Sequence, residues 1–136
     1  MKLIWRVSVM AVALMGLMAT TAAPVSAATY NVWGELNTGG HLVQYSTYRT
    51  HLSGPAALRI YDNTGCCGVR YSRFGLRDLN DVQITHTNQY NGDGGDIPFR
   101  RASNNSLTIP TGSYALNGRM AACSGCDRFW AGILTL

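Results

Sequence analysis

Four cysteines are the strongest chemical signal in this sequence of 136 residues. Cys66 and Cys67 are adjacent in "NTGCCG", and Cys123 and Cys126 are separated by two residues in "CSGC". Four sulfurs can form disulfides, bind zinc or carry out thiol redox chemistry, and the redox state of the compartment decides which of these is favoured. The interpretation of the cysteines therefore depends on where the protein goes, and the first residues of the chain bear on that.

Residues 1–27 have the features of a secretory signal peptide. Lys2 and Arg6 precede an uncharged apolar stretch over residues 7–19, and small residues follow it up to Ala27. The apolar stretch is shorter than the roughly 20 residues that a membrane-spanning helix needs. We therefore predict cleavage after Ala27 and secretion of the remaining 109 residues, with no membrane attachment after the signal peptide is removed.

An even number of cysteines in a small exported domain is typical of disulfides. Structural zinc sites commonly use Cys-x-x-Cys pairs, so adjacent Cys66 and Cys67 suit a tetrahedral ion poorly. A thioredoxin-like redox pair lies at the start of a helix, whereas a strand-like segment follows Cys126. A bond between Cys66 and Cys67 would strain the peptide that joins them. We expect each of these two to pair with one of Cys123 and Cys126, in either crosswise arrangement.

From Ala28 onward, apolar and polar residues alternate with period two, and Gly, Asn, Asp and Ser interrupt the pattern. "TYNVWGEL" and "HLVQYSTYR" predict two strands that form a hairpin around the turn "NTGG". "GSYALNGRMAA" and "RFWAGILTL" predict a second hairpin around "CSGC". The prediction is a single all-β domain over residues 28–136, a small antiparallel β-sandwich or barrel of about seven to nine short strands.

The segment "YALNGRMAACSGCDRFWAGILTL" resembles the C-terminus of small exported bacterial β-sandwich proteins, most of them uncharacterised. The shared pattern is a strand with Gly and Arg, a turn with Cys and a last strand with Trp-x-Gly-x-Leu. The resemblance covers about the last quarter of the chain and includes no catalytic motif. It implies a fold and no specific function.

The charge of the predicted mature chain gives no reason to expect a nucleic-acid partner. Without Lys2 and Arg6, nine Arg and seven carboxylates remain, a net charge of +2. Only Arg100 and Arg101 are adjacent, so the basic residues form no run that would follow a phosphate backbone.

The loop "NGDGGD" contains the only candidate for a metal site. Asn91, Asp93 and Asp96 offer the oxygen ligands that calcium prefers, but the spacing of an EF-hand loop and its terminal Glu are absent. The motif also occurs once, whereas calcium-binding β-helices repeat theirs. An ordinary surface loop is the favoured interpretation, and we expect no metal and no other cofactor.

No local pattern marks a catalytic centre. His41, His51 and His86 are the histidines, and none lies near a nucleophile motif such as Gly-x-Ser-x-Gly. Glu35 is the sole Glu, and no particular Asp is singled out as its acid–base partner. Because triad residues need not be near one another in sequence, a site assembled by the fold stays open.

Aromatic residues are numerous for a domain of this size. Trp33 and Tyr61 alternate away from Val32 and Ile60, so some rings could be exposed and able to stack on sugars or on a protein. Burial between two sheets is the favoured interpretation for most of them. The aromatic residues after the signal peptide are Tyr30, Trp33, Tyr45, Tyr48, Tyr61, Tyr71, Phe74, Tyr90, Phe99, Tyr114, Phe129 and Trp130.

These observations favour a secreted, disulfide-stabilised protein that acts by binding, with a cell-envelope glycan or a secreted protein as its partner. The alternative is a small secreted hydrolase with an unrecognised active site. A polar cleft that gathers His and Asp would favour the hydrolase, and a flat aromatic face would favour the binding protein.

Overall fold

In the computed structural model, the protein is described over residues 26–63, 71–91, 94–123 and 128–136. These residues contain no α-helix and form antiparallel β-sheets, so the predicted all-β class is confirmed. The strands are β1 (Thr29–Leu36), β2 (Val43–Gln44), β3 (Arg49–His51), β4 (Gly54–Pro55), β5 (Ala57–Asp62), β6 (Ser72–Arg77), β7 (Asn88–Tyr90), β8 (Ile97–Pro98), β9 (Thr108–Ile109), β10 (Gly112–Met120) and β11 (Arg128–Thr135).

Two larger sheets contain most of these strands. The first has four strands in the order β1-β11-β5-β8. The second has five, in the order β2-β10-β6-β7 with β3 also paired to β10. A separate two-stranded sheet joins β4 and β9. The eleven strands of the described residues exceed the predicted seven to nine because several pairings involve only two residues, which are too short to leave an alternating pattern in the sequence.

The two larger sheets share one hydrophobic core. Alternation directs Val32 and Leu36 of β1 inward, and Phe74 of β6 approaches them from the opposite sheet. The ring centroids of Phe74 and Trp130 are 4.5 Å apart, which joins β6 of one sheet to β11 of the other. This packing fits the predicted sandwich. The buried hydrophobic residues are Val32, Leu36, Ala56, Leu58, Ile60, Phe74, Leu76, Tyr90, Phe99, Ile109, Tyr114, Ala115, Leu116, Met120, Trp130, Ala131, Leu134 and Leu136.

Both predicted hairpins are wrong, although most of their strands exist. The segment after the turn "NTGG" forms β2 and β3, which pair with β10 and not with β1. Strand β10 pairs with β6, and β11 pairs with β1 and β5, so the "CSGC" link connects two different sheets. A short link between two strands allows a hairpin but also a crossing between packed sheets, and core packing decides between them.

The two cysteine segments leave from the same end of the molecule. Asp62 at the end of β5 is the register partner of Ala131 in β11, and Ser72 at the start of β6 is that of Met120 at the end of β10. The links from β5 to β6 and from β10 to β11 therefore both cross from one sheet to the other, at neighbouring positions. Cys66, Cys67 and Cys126 lie in these crossings, outside the described residues.

The predicted signal peptide over residues 1–27 lies almost wholly outside the described part and stays a prediction. The described residues that follow it start the sheet at once. The backbone N–H of Ala28 donates to the carbonyl of Leu136 at 2.6 Å, and Leu136 donates back to Ala28 at 2.8 Å. Throughout the described ranges, no helix has the length and apolarity needed to cross a membrane.

Candidate functional site

The outer face of the four-stranded sheet, turned away from the core, carries three exposed aromatic side chains. Trp33 of β1 is 67% exposed, Tyr61 of β5 is 48% exposed and Phe129 of β11 is 44% exposed. Trp33 and Phe129 face outward because their neighbours Val32 and Trp130 occupy the core, as the strand period requires. We call Trp33, Tyr61 and Phe129 the aromatic face.

The strand register places the three rings close together. Trp33 is opposite Ala131, and Glu35 is opposite Phe129, so Trp33 and Phe129 are diagonal neighbours on adjacent strands. Such diagonal positions are about 7–8 Å apart. Tyr61 lies one strand beyond β11, which puts β5 roughly 10 Å from β1. The small side chain of Ala131 leaves the space between Trp33 and β5 free of a bulky group.

An irregularity in β5 presents Tyr61. Gly132 is opposite Ile60 while Ala131 is opposite Asp62, so Tyr61 is the extra residue of a β-bulge. A bulge redirects side chains and increases the local twist. Gly132 permits it, because a Cβ at this position would collide with the backbone carbonyl of Arg59. The bulge therefore depends on a glycine of the neighbouring strand.

Polar groups border the aromatic face. Asn31 and Glu35 are exposed and stand on either side of Trp33 in the same outward row of β1. Arg59, the outward residue before Tyr61, is 3.7 Å from Asp96 in an ion pair that is largely solvated. The border thus offers an amide, a carboxylate and a guanidinium group to a bound molecule.

Tyr45 braces the strand that carries Trp33. Its hydroxyl donates to the carbonyl of Glu35 at 2.8 Å and accepts from the indole N–H of Trp130 at 2.6 Å. Its ring lies against the backbone of β1, since a Cβ at Gly34 would be 2.5 Å from Cε1 of Tyr45. Burial raises the pKa of Tyr45 to about 12, so the phenol stays protonated and able to donate at neutral pH.

The three histidines differ in burial and in the contacts they make. His51 is buried, and its Nε2 lies 3.2 Å from the carbonyl of Ile109 and 3.3 Å from that of Gly54, so it holds β3, β4 and β9 together. His41 and His86 are exposed. Among the described residues, no three His, Cys, Asp or Glu side chains come together as a metal-binding group.

Two of the three residues of the calcium candidate lie in the described part of the chain. Asp96 forms its ion pair with Arg59, and Asn91 is exposed at the end of β7. Asp93 lies outside the described residues. The favoured interpretation of this segment as an ordinary surface loop stays a prediction.

Among the predicted disulfide residues, Cys123 alone is described. It is not a free thiol, and its backbone N–H donates to the carbonyl of Thr38 at 2.8 Å. The hydrogen bond attaches the start of the "CSGC" link to the turn that follows β1. The sulfurs of Cys66, Cys67 and Cys126 lie outside the described residues, so their pairing stays a prediction.

The sequence indicated two residues of the aromatic face and missed the third as a site residue. The alternation left exposure of Trp33 and Tyr61 open, and both are exposed, whereas the burial favoured for most of the aromatic residues is found at Phe74, Tyr90, Phe99, Tyr114 and Trp130. Phe129 carries no prediction of exposure or burial of its own. The alternation in "RFWAG" contained the signal, because a buried Trp130 requires an outward Phe129.

Comparisons with known proteins add no functional information. No protein-family model matches the chain, and no curated protein matches it. Among solved structures, chains from the Gx and Gt strains of infectious bursal disease virus align with it at 13% and 14% identity, each with a TM-score of 0.33. Each alignment covers 81% of this chain and 30% of the viral chain. A likeness this low carries no argument about function.

Proposed function

We propose that this protein is a secreted, disulfide-stabilised binding protein whose aromatic face recognises a glycan of the cell envelope. The observation that carries the proposal is the placement of Trp33, Tyr61 and Phe129, all exposed, on one face of a sheet. Exposed aromatic rings on a rigid sheet present a large contact area at little cost in conformational entropy, because each side chain has only two rotatable bonds.

The chemistry of this surface favours a sugar over a protein. The face of an aromatic ring carries partial negative charge, and the C–H groups on one side of a sugar ring are apolar and weakly positive, so the two stack. Hydroxyl groups at the edge of the sugar can then bond to Asn31 and Glu35. The apolar contact surface of this sheet is aromatic, because the described aliphatic side chains that are large and exposed lie outside it: Leu42, Leu52, Leu79, Val82 and Leu107.

Export and the disulfides belong to the same proposal. Support for the disulfides comes from the strand ends that flank the two cysteine segments. Asp62 is the register partner of Ala131, and Ser72 is that of Met120, so both segments begin and end at the same end of the molecule. The first crosswise bond would close a loop of more than 50 residues, which stabilises by about 4 kcal/mol in the chain-entropy model, and the second would add much less because the loop is already closed. A domain of about 110 residues has a modest core and benefits from such links.

The test is a binding assay against insoluble cell-wall polysaccharides and soluble neutral oligosaccharides. We expect Trp33→Ala to weaken binding about thirtyfold or more, as for a central aromatic residue that contributes about 2 kcal/mol. Tyr61→Ala and Phe129→Ala should also weaken it. Leu79→Ala is the matched control, because Leu79 is an exposed apolar side chain, 65% accessible, that lies off this sheet.

Three outcomes would contradict the proposal. Equal losses for Trp33→Ala and Leu79→Ala would show that apolar exposure alone, and not this surface, causes retention. If the unaltered protein captures another protein and binds no glycan, and Trp33→Ala abolishes this capture, the partner of the aromatic face is a protein instead. Release of new reducing ends from a bound polysaccharide would favour the secreted hydrolase.

A further inference from the structure

A pocket opens on the outer face of the five-stranded sheet. It has a volume of about 530 Å³ and lies where β6 and β10 meet the turn that follows β1. We call it the arginine pocket and define it by Tyr71, Arg73, Gln89 and Arg119. It shares no residue with the aromatic face, which belongs to the other sheet.

The sheet places two arginines side by side in this pocket. Arg73 of β6 is the direct register partner of Arg119 of β10. Both side chains are exposed, because their neighbours Ser72, Phe74 and Met120 are buried on the inner face. Directly opposite residues have Cβ atoms about 4.5–5.5 Å apart, and like charges in this arrangement destabilise a sheet.

Neither arginine has a compensating carboxylate among the described residues. The ion pairs found there are Arg59–Asp96 and Arg77–Asp81. Arg73 donates to the side-chain carbonyl of Gln89 at 3.4 Å, a long contact to a neutral group. Two positive charges thus face the same open pocket, and no carboxylate of the described ranges forms an ion pair with either of them.

We propose that the arginine pocket binds a phosphate or sulfate group carried by a small organic molecule. A guanidinium group presents planar, paired N–H donors that match the oxygens of such an anion, and two of them can hold one tetrahedral group from different sides. The anion would also remove the repulsion between Arg73 and Arg119. The pocket is larger than a free phosphate, and the exposed ring of Tyr71 at its border would contact the organic part.

The test is a calorimetric titration with inorganic phosphate and with glucose 6-phosphate, at constant ionic strength set with chloride. We expect both to bind and uncharged glucose not to compete with them. Arg73→Gln and Arg119→Gln should each lower the affinity at least about tenfold, as expected when a charge-assisted hydrogen bond is lost. A parallel titration with inorganic sulfate determines which of the two anions the pocket prefers.

The matched control is Arg100→Gln, which removes the same charge from another exposed position. It should leave the affinity unchanged. In buffer without phosphate or sulfate, Arg73→Gln and Arg119→Gln should also raise the urea midpoint, because the repulsion is gone, whereas Arg100→Gln should not. Millimolar phosphate that fails to bind the unaltered protein, or equal losses in all three variants, would overturn the proposal.

Discussion

Replacing Tyr45 by Phe removes one hydroxyl group at the point where the two sheets meet behind Trp33. The hydroxyl accepts from the indole N–H of Trp130 and donates to the carbonyl of Glu35. The ring itself is retained, and with it the edge-on contact to Trp130, whose ring centroid is 5.5 Å away. The substitution therefore tests the hydrogen bonds separately from the packing.

The expected loss follows from the burial of Trp130. Only 1% of this residue is exposed, so its N–H is largely shielded from water when the hydroxyl is gone. A buried donor left without a partner costs about 1–3 kcal/mol. The carbonyl of Glu35 lies on the exposed strand β1 and can bond to water, so it adds little. We expect a loss of about 2 kcal/mol in the free energy of unfolding.

Urea denaturation measures this loss, which corresponds to a fall of about 1 M in the midpoint at an unchanged slope. Tyr61→Phe removes an exposed hydroxyl and should stay within about 0.5 kcal/mol. In a Trp130→Phe background, which lacks the N–H, Tyr45→Phe should cost clearly less. A loss below about 0.5 kcal/mol, or the same loss in both backgrounds, would refute the reasoning.

Two further predictions concern alkaline pH and the sulfurs. Burial raises the pKa of Tyr45 from 10.0 to about 12 and that of Tyr90 further. The stability that the folded protein gains from the neutral phenols should therefore be complete below pH 10 and decline as the pH rises from 10 to 12. Urea midpoints across that range measure the decline, and a constant midpoint would contradict it. Protein recovered from culture medium should begin at Ala28 and have a mass about four hydrogens below that of the reduced chain. Its melting temperature should fall after reduction but not after treatment with a zinc chelator. An intact Met1 would contradict the predicted cleavage, and four free thiols would contradict the predicted disulfides.

The sequence alone was sufficient to predict the all-β class and which residues face the core in the long strands. In "TYNVWGEL" and "AALRIYD" the alternation is a local property of the backbone, because successive side chains of a strand point to opposite sides wherever the strand lies. The inward positions of Val32 and Ile60 and the outward position of Trp33 therefore needed no knowledge of the partner strands.

Only the tertiary structure decided which strands pair, and with that the two candidate sites. Both sheets are built largely from contacts between residues distant in sequence, such as Val32 with Gly132, and the alternation of a strand says nothing about its partner. The bulge that presents Tyr61 depends on the glycine at position 132. Arg73 lies opposite Arg119 only because β6 pairs with β10 in this register, and no local sequence pattern around either residue predicts that pairing.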